Sequence, residues 1–430
     1  MVTSSAGSAR LAAFNILKQV ETGAFSSILL AAAEPHLRPP DRALCHELVL
    51  GVLRWQFRLD KILEYFSKRD VEGLDLPVRI ALRLGLYQLH YLSRIPAAAA
   101  VNESVSLVRA ARLSSATAFV NAVLRRAIRE GEYDPAAEVS DQIERIAIQT
   151  SHPVWLIDRW AQVFGIDVAE SFATANNLVP PTAFRVVGNR AEQSIIVSRL
   201  IAAGAELESS DIVAGAWRVS GATSLLRELS AAGEVYLQDE ASQLVAQELE
   251  VKSGERVLDL CAAPGGKTTL MADRGGNSAF IVAADVSAKR MALVVNTAQL
   301  HGLTSIKPVL LDAVESLPFV ERSFDKVLVD APCSGTGTLR RNPEIRWRLT
   351  PVDIVKLAEQ QKQILGRAVE MVKPGGRLIY STCSVEREEN EEVLDEVFEG
   401  RFQLVKTVRT WPQREGGDGF FISIFQCRQD

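Results

Sequence analysis

Cysteine is scarce: five residues in 430, Cys45, Cys261, Cys333, Cys383 and Cys427. Their number is odd, their spacing is irregular, and no Cys-x-x-Cys pair occurs. This argues against a disulfide framework or a structural zinc site and points to a reducing, cytoplasmic setting. Long apolar runs are missing too. None approaches the ~18 uncharged residues a membrane span needs, so no membrane partner is expected. Asn15, Lys18 and Glu21 interrupt the first apolar stretch, which reads as an amphipathic helix rather than a secretory signal. No charge of one sign dominates either. The chain holds 48 basic and 53 acidic residues, net −5, and carries no internal repeat or low-complexity tract. Any nucleic-acid surface must be a local patch. Residues 1–150 hold 18 Lys and Arg against 16 Asp and Glu, leaving the deficit to the remainder. What is present, 47% hydrophobic and 23% charged residues, excludes disorder and allows about three domains at roughly 150 residues each.

From Ser8 to Glu130 the apolar spacing is helical throughout, over 9–20, 27–33, 42–55, 59–66, 77–92, 101–112 and 117–129. Pro39-Pro40, Gly73, Pro77 and Pro96 read as breakers, with Pro77 at the start of its helix. This predicts an all-α bundle over 1–140, with a boundary in the acidic stretch Gly131 to Asp141. Residues 145–250 are mixed. A helical pattern over 143–164 precedes strand-like runs at 182–187, 216–219 and 234–237 and a helix at 193–203, a small α/β or α+β unit. Over 251–430 strands and helices alternate. Strands are expected at 257–260, 280–284, 306–311, 326–329 and 377–380, with helices at 267–273, 288–300, 351–372 and 388–398. That order predicts a doubly wound, mostly parallel sheet, finished by a hairpin of 402–405 and 420–426.

The first strand runs into Asp259-Leu260-Cys261-Ala262-Ala263-Pro264-Gly265-Gly266-Lys267. Small residues gather where a ligand must approach the backbone, and a helix N-terminus follows. A Walker A loop fails because Cys261 fills its first glycine position. A dinucleotide fingerprint fails at Cys261 and Ala263. Acidic-x-small-x-small-x-Gly remains. It resembles the turn of class I S-adenosylmethionine-dependent methyltransferases. Asp285, about 20 residues on, suits a ribose diol. Asp312 suits the adenine edge, and Asp330 opens Asp330-Ala331-Pro332-Cys333-Ser334-Gly335-Thr336-Gly337. Each Asp alone reads more readily as a helix cap. Four at successive strand ends do not. Cys333 and Cys383 likewise sit past neighbouring strands, where reactive thiols belong.

Three motifs, Asp259 to Lys267, Asp330 to Trp347 and Ser381-Thr382-Cys383-Ser384, resemble those of the RNA cytosine-C5 methyltransferases, the RsmB/Nop/NSUN group. The N-terminal helices, notably 81–89, 95–96, 101–103 and 119–125, resemble the NusB fold. The resemblance implies an N-terminal NusB-like RNA-binding domain, a small RNA-binding extension and a class I Rossmann-like catalytic domain. It implies S-adenosyl-L-methionine as cofactor, held by Cys261, Ala262, Ala263, Pro264, Gly265, Gly266, Lys267, Asp285, Asp312 and Asp330. It also implies a monomer needing no metal, acting on 16S rRNA at the cytosine conventionally numbered 967. Cys383 matches the nucleophile that adds to C6 and is expected to have a lowered pKa. Cys333 matches the cysteine that aids release, and Asp330 is placed to meet N3. Lys267 is expected to order the cofactor loop. Arg340, Arg341, Arg346 and Arg348 with Trp347 are expected to contact RNA, and the N-terminal domain to set substrate choice. A tRNA cytosine-C5 methyltransferase and a non-catalytic NusB-like RNA-binding factor are the alternatives. A DNA-type enzyme would instead use the Pro-Cys cysteine, Cys333, as nucleophile.

Overall fold

The computed structural model describes residues 8–397 and 400–429. The chain divides into two compact units, Met1–Leu178 with Leu339–Arg348, and Val179–Thr338 with Leu349–Asp430.

In the first unit the amphipathic spacing produces the expected helices: Ser8–Glu21, Ser26–Ala33, Pro39–Arg54, Gln56–Ser67, Leu76–Tyr91, Ala97–Ala110 and Thr117–Glu130. Pro39-Pro40 opens its helix instead of breaking the chain. The first turn has no intrahelical partner for those N–H groups, so prolines cost nothing there. Leu76–Tyr91 is buried along most of its length, as expected of a helix apolar on more than one face. Its one buried cation, Arg83, is neutralised by Asp60 at 2.7 Å and Glu21 at 2.6 Å. Compactness and composition divide the chain differently. Gln142–Thr150, Val154–Phe164 and Ile166–Ala175 are three helices of this same unit. Pro153 interrupts the single helical pattern of 143–164.

The second unit opens with β1 (Thr182–Val186), β2 (Glu206–Ser209), β3 (Ala216–Ser220) and β4 (Val235–Leu237), an antiparallel sheet in the order β2-β3-β1-β4. Helices Gln193–Ala202 and Thr223–Ala231 complete a βαββαβ unit around Phe184, Ile196, Leu200, Leu226, Leu229 and Val235. Two of these elements escape sequence patterning. β2 is a mostly exposed edge strand without apolar alternation, and Thr223–Ala231 buries only Leu226 and Leu229.

The larger sheet contains β5 (Arg256–Asp259), β6 (Phe280–Asp285), β7 (Ile306–Leu310), β8 (Phe324–Asp330), β9 (Val372–Thr382), β10 (Phe402–Thr410) and β11 (Phe420–Cys427), in the order β10-β11-β9-β8-β5-β6-β7. The five strands β5 to β9 pair in parallel. The expected C-terminal hairpin joins the β9 edge antiparallel. Apolar cores lie against both faces, the doubly wound arrangement the alternation predicts. Strand order reverses between β5 and β8, and the crevice at such a reversal is where open α/β sheets bind ligands. The helix expected over 388–398 begins at Glu391, after a 3₁₀ turn Arg387–Glu389. Phe398 lies outside the described residues.

Candidate active site

Asp259, Asp285 and Asp330 are the last residues of β5, β6 and β8. Asp312 lies two residues past β7. A cleft of about 290 Å³ is lined by Cys261, Ala263, Asp285, Asp312, Asp330, Cys333 and Cys383 among others. A second cleft of about 210 Å³ includes Ala262, Pro264, Gly266, Lys267 and Asp330.

The turn after β5 is shaped by its small residues. Gly265 has φ +105°, and a Cβ there would lie 3.0 Å from Cα of Val294. Only glycine meets both demands. Thr268 donates to Asp259 at 2.7 Å. The amides of Ala263 and Ser287 donate to the two oxygens of Asp285, at 3.3 and 2.9 Å, and Arg290 stands 3.7 Å away. These contacts fix the carboxylate while leaving each oxygen a further lone pair.

Burial pushes the Asp259 carboxyl up to about 7. The folded chain therefore holds a proton that the unfolded chain releases near pH 4, and this group lowers stability as pH rises from about 4 to about 7. Asp259→Asn should remove that component. Its urea midpoint should gain on the parent's between about pH 4 and about pH 7. An unchanged difference across that range would show that Asp259 does not titrate there.

Lys267 and Asp330 form an ion pair of 2.6 Å, both partly buried. Burial opposes the Lys267 charge, but Asp330, with Cys383 and Asp259, overrides it and raises the lysine pKa. Ser381 on β9 holds the other Asp330 oxygen at 2.8 Å. The Cys333 and Cys383 sulfurs are 3.2 Å apart, each half-buried. The hydrogen bond to Cys383, then burial, pushes the Cys333 thiol up. The two cysteine-bearing segments meet backbone to backbone. The Gly337 amide donates to the Cys383 carbonyl at 2.9 Å. A Cβ on Gly337 would stand 1.9 Å from the Gly419 carbonyl oxygen, so no larger residue fits.

Glu389 has no place in the sequence reading beyond falling in the helix expected over 388–398. It is fully buried and accepts hydrogen bonds from the residues that follow both cysteines, Ser334 and Ser384. Its motif neighbourhood, six residues past Cys383, was the available signal.

The arginine stretch is corrected. Leu339–Arg348 belongs to the first unit, where Arg346, Trp347 and Arg348 spend most of their donors on backbone carbonyls. Arg346 is 1% exposed. It donates to the carbonyls of Arg54, Ser151 and Asn176 and to Oδ1 of Asn177, at 2.8–3.1 Å. Trp347 Nε1 donates to the Leu53 carbonyl at 2.7 Å. Arg348 donates to the carbonyls of Val20, Gly23 and Ala24, and Arg340 is buried. Glu344 accepts the amide and hydroxyl of Ser26 at 2.9 Å each. The guanidinium groups thus meet carbonyls at helix C-terminal ends and the carboxylate meets a helix start, as the helix dipole favours. Arg340, Arg346 and Arg348 are therefore not solvated arginines facing RNA.

Among the described residues no cluster of three or more His, Cys, Asp or Glu is arranged to hold a metal ion. No helix there is long and apolar enough to cross a membrane.

Three family models match successive parts of the chain: the NusB family over 7–129, an RsmF/B-like ferredoxin-like domain over 152–225, and the 16S rRNA methyltransferase RsmB/F over 246–426. A Bacillus subtilis protein named probable ribosomal RNA small subunit methyltransferase B is 35% identical, covering 95% of this chain and 96% of its own. A Synechocystis protein of the same name is 37% identical over 90% and 88%. The crystal structure of PH0851 superposes with a TM-score of 0.84 at 27% identity, covering 97% and 98% of the two chains. The strand-end carboxylates, the paired thiols and these full-length matches lead to one assignment: the chain belongs to the RsmB/F family of 16S rRNA methyltransferases.

Proposed function

We propose that this protein methylates C5 of a cytosine in 16S rRNA, the one conventionally numbered 967, using S-adenosyl-L-methionine and a covalent adduct on Cys383. One observation carries the reading: two thiols 3.2 Å apart share a cleft with Asp330 and Asp285. The donor set fits the cofactor. Asp285 offers two oriented oxygens to a ribose diol. Asp312 would take the adenine edge, and the Cys261–Lys267 turn leads into a helix N-terminus suited to a carboxylate. When bound, the cofactor supplies an electrophilic methyl group.

The chain's own residues do the rest. C5 of cytosine is a weak nucleophile. Addition of the Cys383 sulfur to C6 moves ring electrons toward N3 and leaves C5 able to attack. The Lys267 ammonium, paired with Asp330 at 2.6 Å, keeps a positive charge beside the cleft. Asp330, held from both sides by Lys267 and Ser381, passes to N3 the proton it shares with the Lys267 ammonium as charge develops there, and recovers it on release. The C5 proton then passes to water in the cleft, its bonding pair restores the C5–C6 double bond, and the Cys383 sulfur leaves C6 as a thiolate, a release that Cys333 assists. Reaching the cleft requires an unstacked base. The NusB-like unit and the small sheet supply RNA binding and site choice.

Asp285→Ala should weaken cofactor binding about 10–100-fold, the worth of charge-assisted hydrogen bonds, and leave RNA binding unchanged. Calorimetry with cofactor and gel shift with rRNA separate the two. Equal losses would remove Asp285 from the ribose. The reading as a whole is tested by mapping 5-methylcytosine in 16S rRNA and tRNA from a deletion strain and its complemented parent. One rRNA cytosine should lose its methyl group. Loss confined to tRNA, or none, would overturn the assignment.

A further inference from the structure

Ser334 follows Cys333 and Ser384 follows Cys383, and both serines end on one carboxylate. Glu389 Oε1 accepts the Ser334 amide at 2.8 Å and Gln361 Nε2 at 3.1 Å. Oε2 accepts the Ser334 hydroxyl at 2.5 Å and the Ser384 hydroxyl. The two hydroxyls are 3.1 Å from each other. Gln361 extends the link to the Pro332 carbonyl at 2.8 Å, and Tyr380 on β9 donates to the Glu389 carbonyl at 2.6 Å. We propose that Glu389 is a positioning residue for methyl transfer, clamping the two cysteine turns in one register so that the sulfurs keep their separation and their separate duties. This rests on the two-thiol reading above.

Four donors converge on the carboxylate and all are neutral. Burial raises the Glu389 pKa, the hydrogen bonds from Ser334, Ser384 and Gln361 oppose that rise, and the ionised group can accept from all four donors. Burying a carboxylate without a cation is costly, and a neutral side chain would pack there at less cost. The arrangement is explained by what the charge does. It orders two turns 50 residues apart in sequence, and it adds to the hydrogen bond to Cys383 and the burial that raise the Cys333 thiol. Cys333 thereby stays a thiol beside the attacking Cys383.

The test uses the full-length chain and the variants Glu389→Ala and Glu389→Gln. Three quantities are measured: single-turnover methyl transfer to rRNA, cofactor affinity, and capture of the thiol pair by phenylarsine oxide. Capture forms two sulfur–arsenic bonds, the arsenic oxygen leaving as water, and requires adjacent sulfurs. Glu389→Ala should lower the transfer rate about 100-fold, the effect of an ångström-scale misplacement. Its capture should be slower, its cofactor affinity within about twofold of the parent, and Glu389→Gln should lie between. A parental rate, or rate and cofactor affinity falling together, would overturn the proposal. If Glu389→Ala does not fold, Ser334→Ala and Ser384→Ala each remove one arm of the clamp. Parental rates in both would overturn it equally. Capture needs no methyl transfer. Glu389-dependent capture in a chain that methylates no cytosine would refute the proposed function and leave the clamp standing.

Discussion

Replacing Cys383 with alanine should lower methyl transfer by at least about 10⁴-fold, the scale seen when a covalent nucleophile is removed, and should leave no protein–RNA adduct. Replacing Cys333 should give a different failure. Attack and methylation proceed, but release stalls, and a complex that survives denaturing electrophoresis accumulates. The 3.2 Å between the sulfurs makes the experiment sharp, since either thiol is near the reacting base and only the attack trajectory separates them. The hydrogen bond to Cys383 and burial raise the Cys333 thiol, which favours Cys383 as the one that attacks. A denaturing gel with methyl-labelled cofactor reads both variants. A slow-migrating labelled band in Cys383→Ala, with a dead Cys333→Ala, would reverse the roles into the DNA-type arrangement. Full activity in Cys383→Ala would remove the covalent mechanism and leave the fold and family untouched.

The second large effect lies in the first unit. Arg346→Met should destabilise the protein by about 3–5 kcal/mol. The substitution strands the carbonyls of Arg54, Ser151 and Asn176, each a buried acceptor whose lost partner costs about 1–3 kcal/mol. Thermal unfolding should show an early transition, and the chain is too large for one two-state midpoint to describe it. A midpoint within a degree of the parent's would show that water replaces the guanidinium. The same bonds change the meaning of a truncation. A chain beginning at Ser151 loses Arg54, Leu53 and Val20 as partners for Arg346, Trp347 and Arg348. Its expected failure is one of folding, before any loss of site choice appears.

The sequence by itself determined whatever depends on neighbours a few residues apart. Helical spacing located Leu76–Tyr91, and short apolar runs located β5 to β9. The turn chemistry of Cys261 to Lys267, with an acidic residue closing three of the strands, marked the cofactor edge. The two cysteines were legible because each follows a strand with its own motif. Tertiary structure alone decided where the arginines of 340–348 point. Nothing local distinguishes a guanidinium in water from one seated on carbonyls some 290 residues earlier in the chain. It alone joined the helices of 142–175 to the first unit, since an amphipathic face does not name what it packs against. It alone singled out Glu389 among its acidic neighbours. Ser334 is 55 residues away from it, and a run of like charges reads as a solvated face until folding carries one member into the interior.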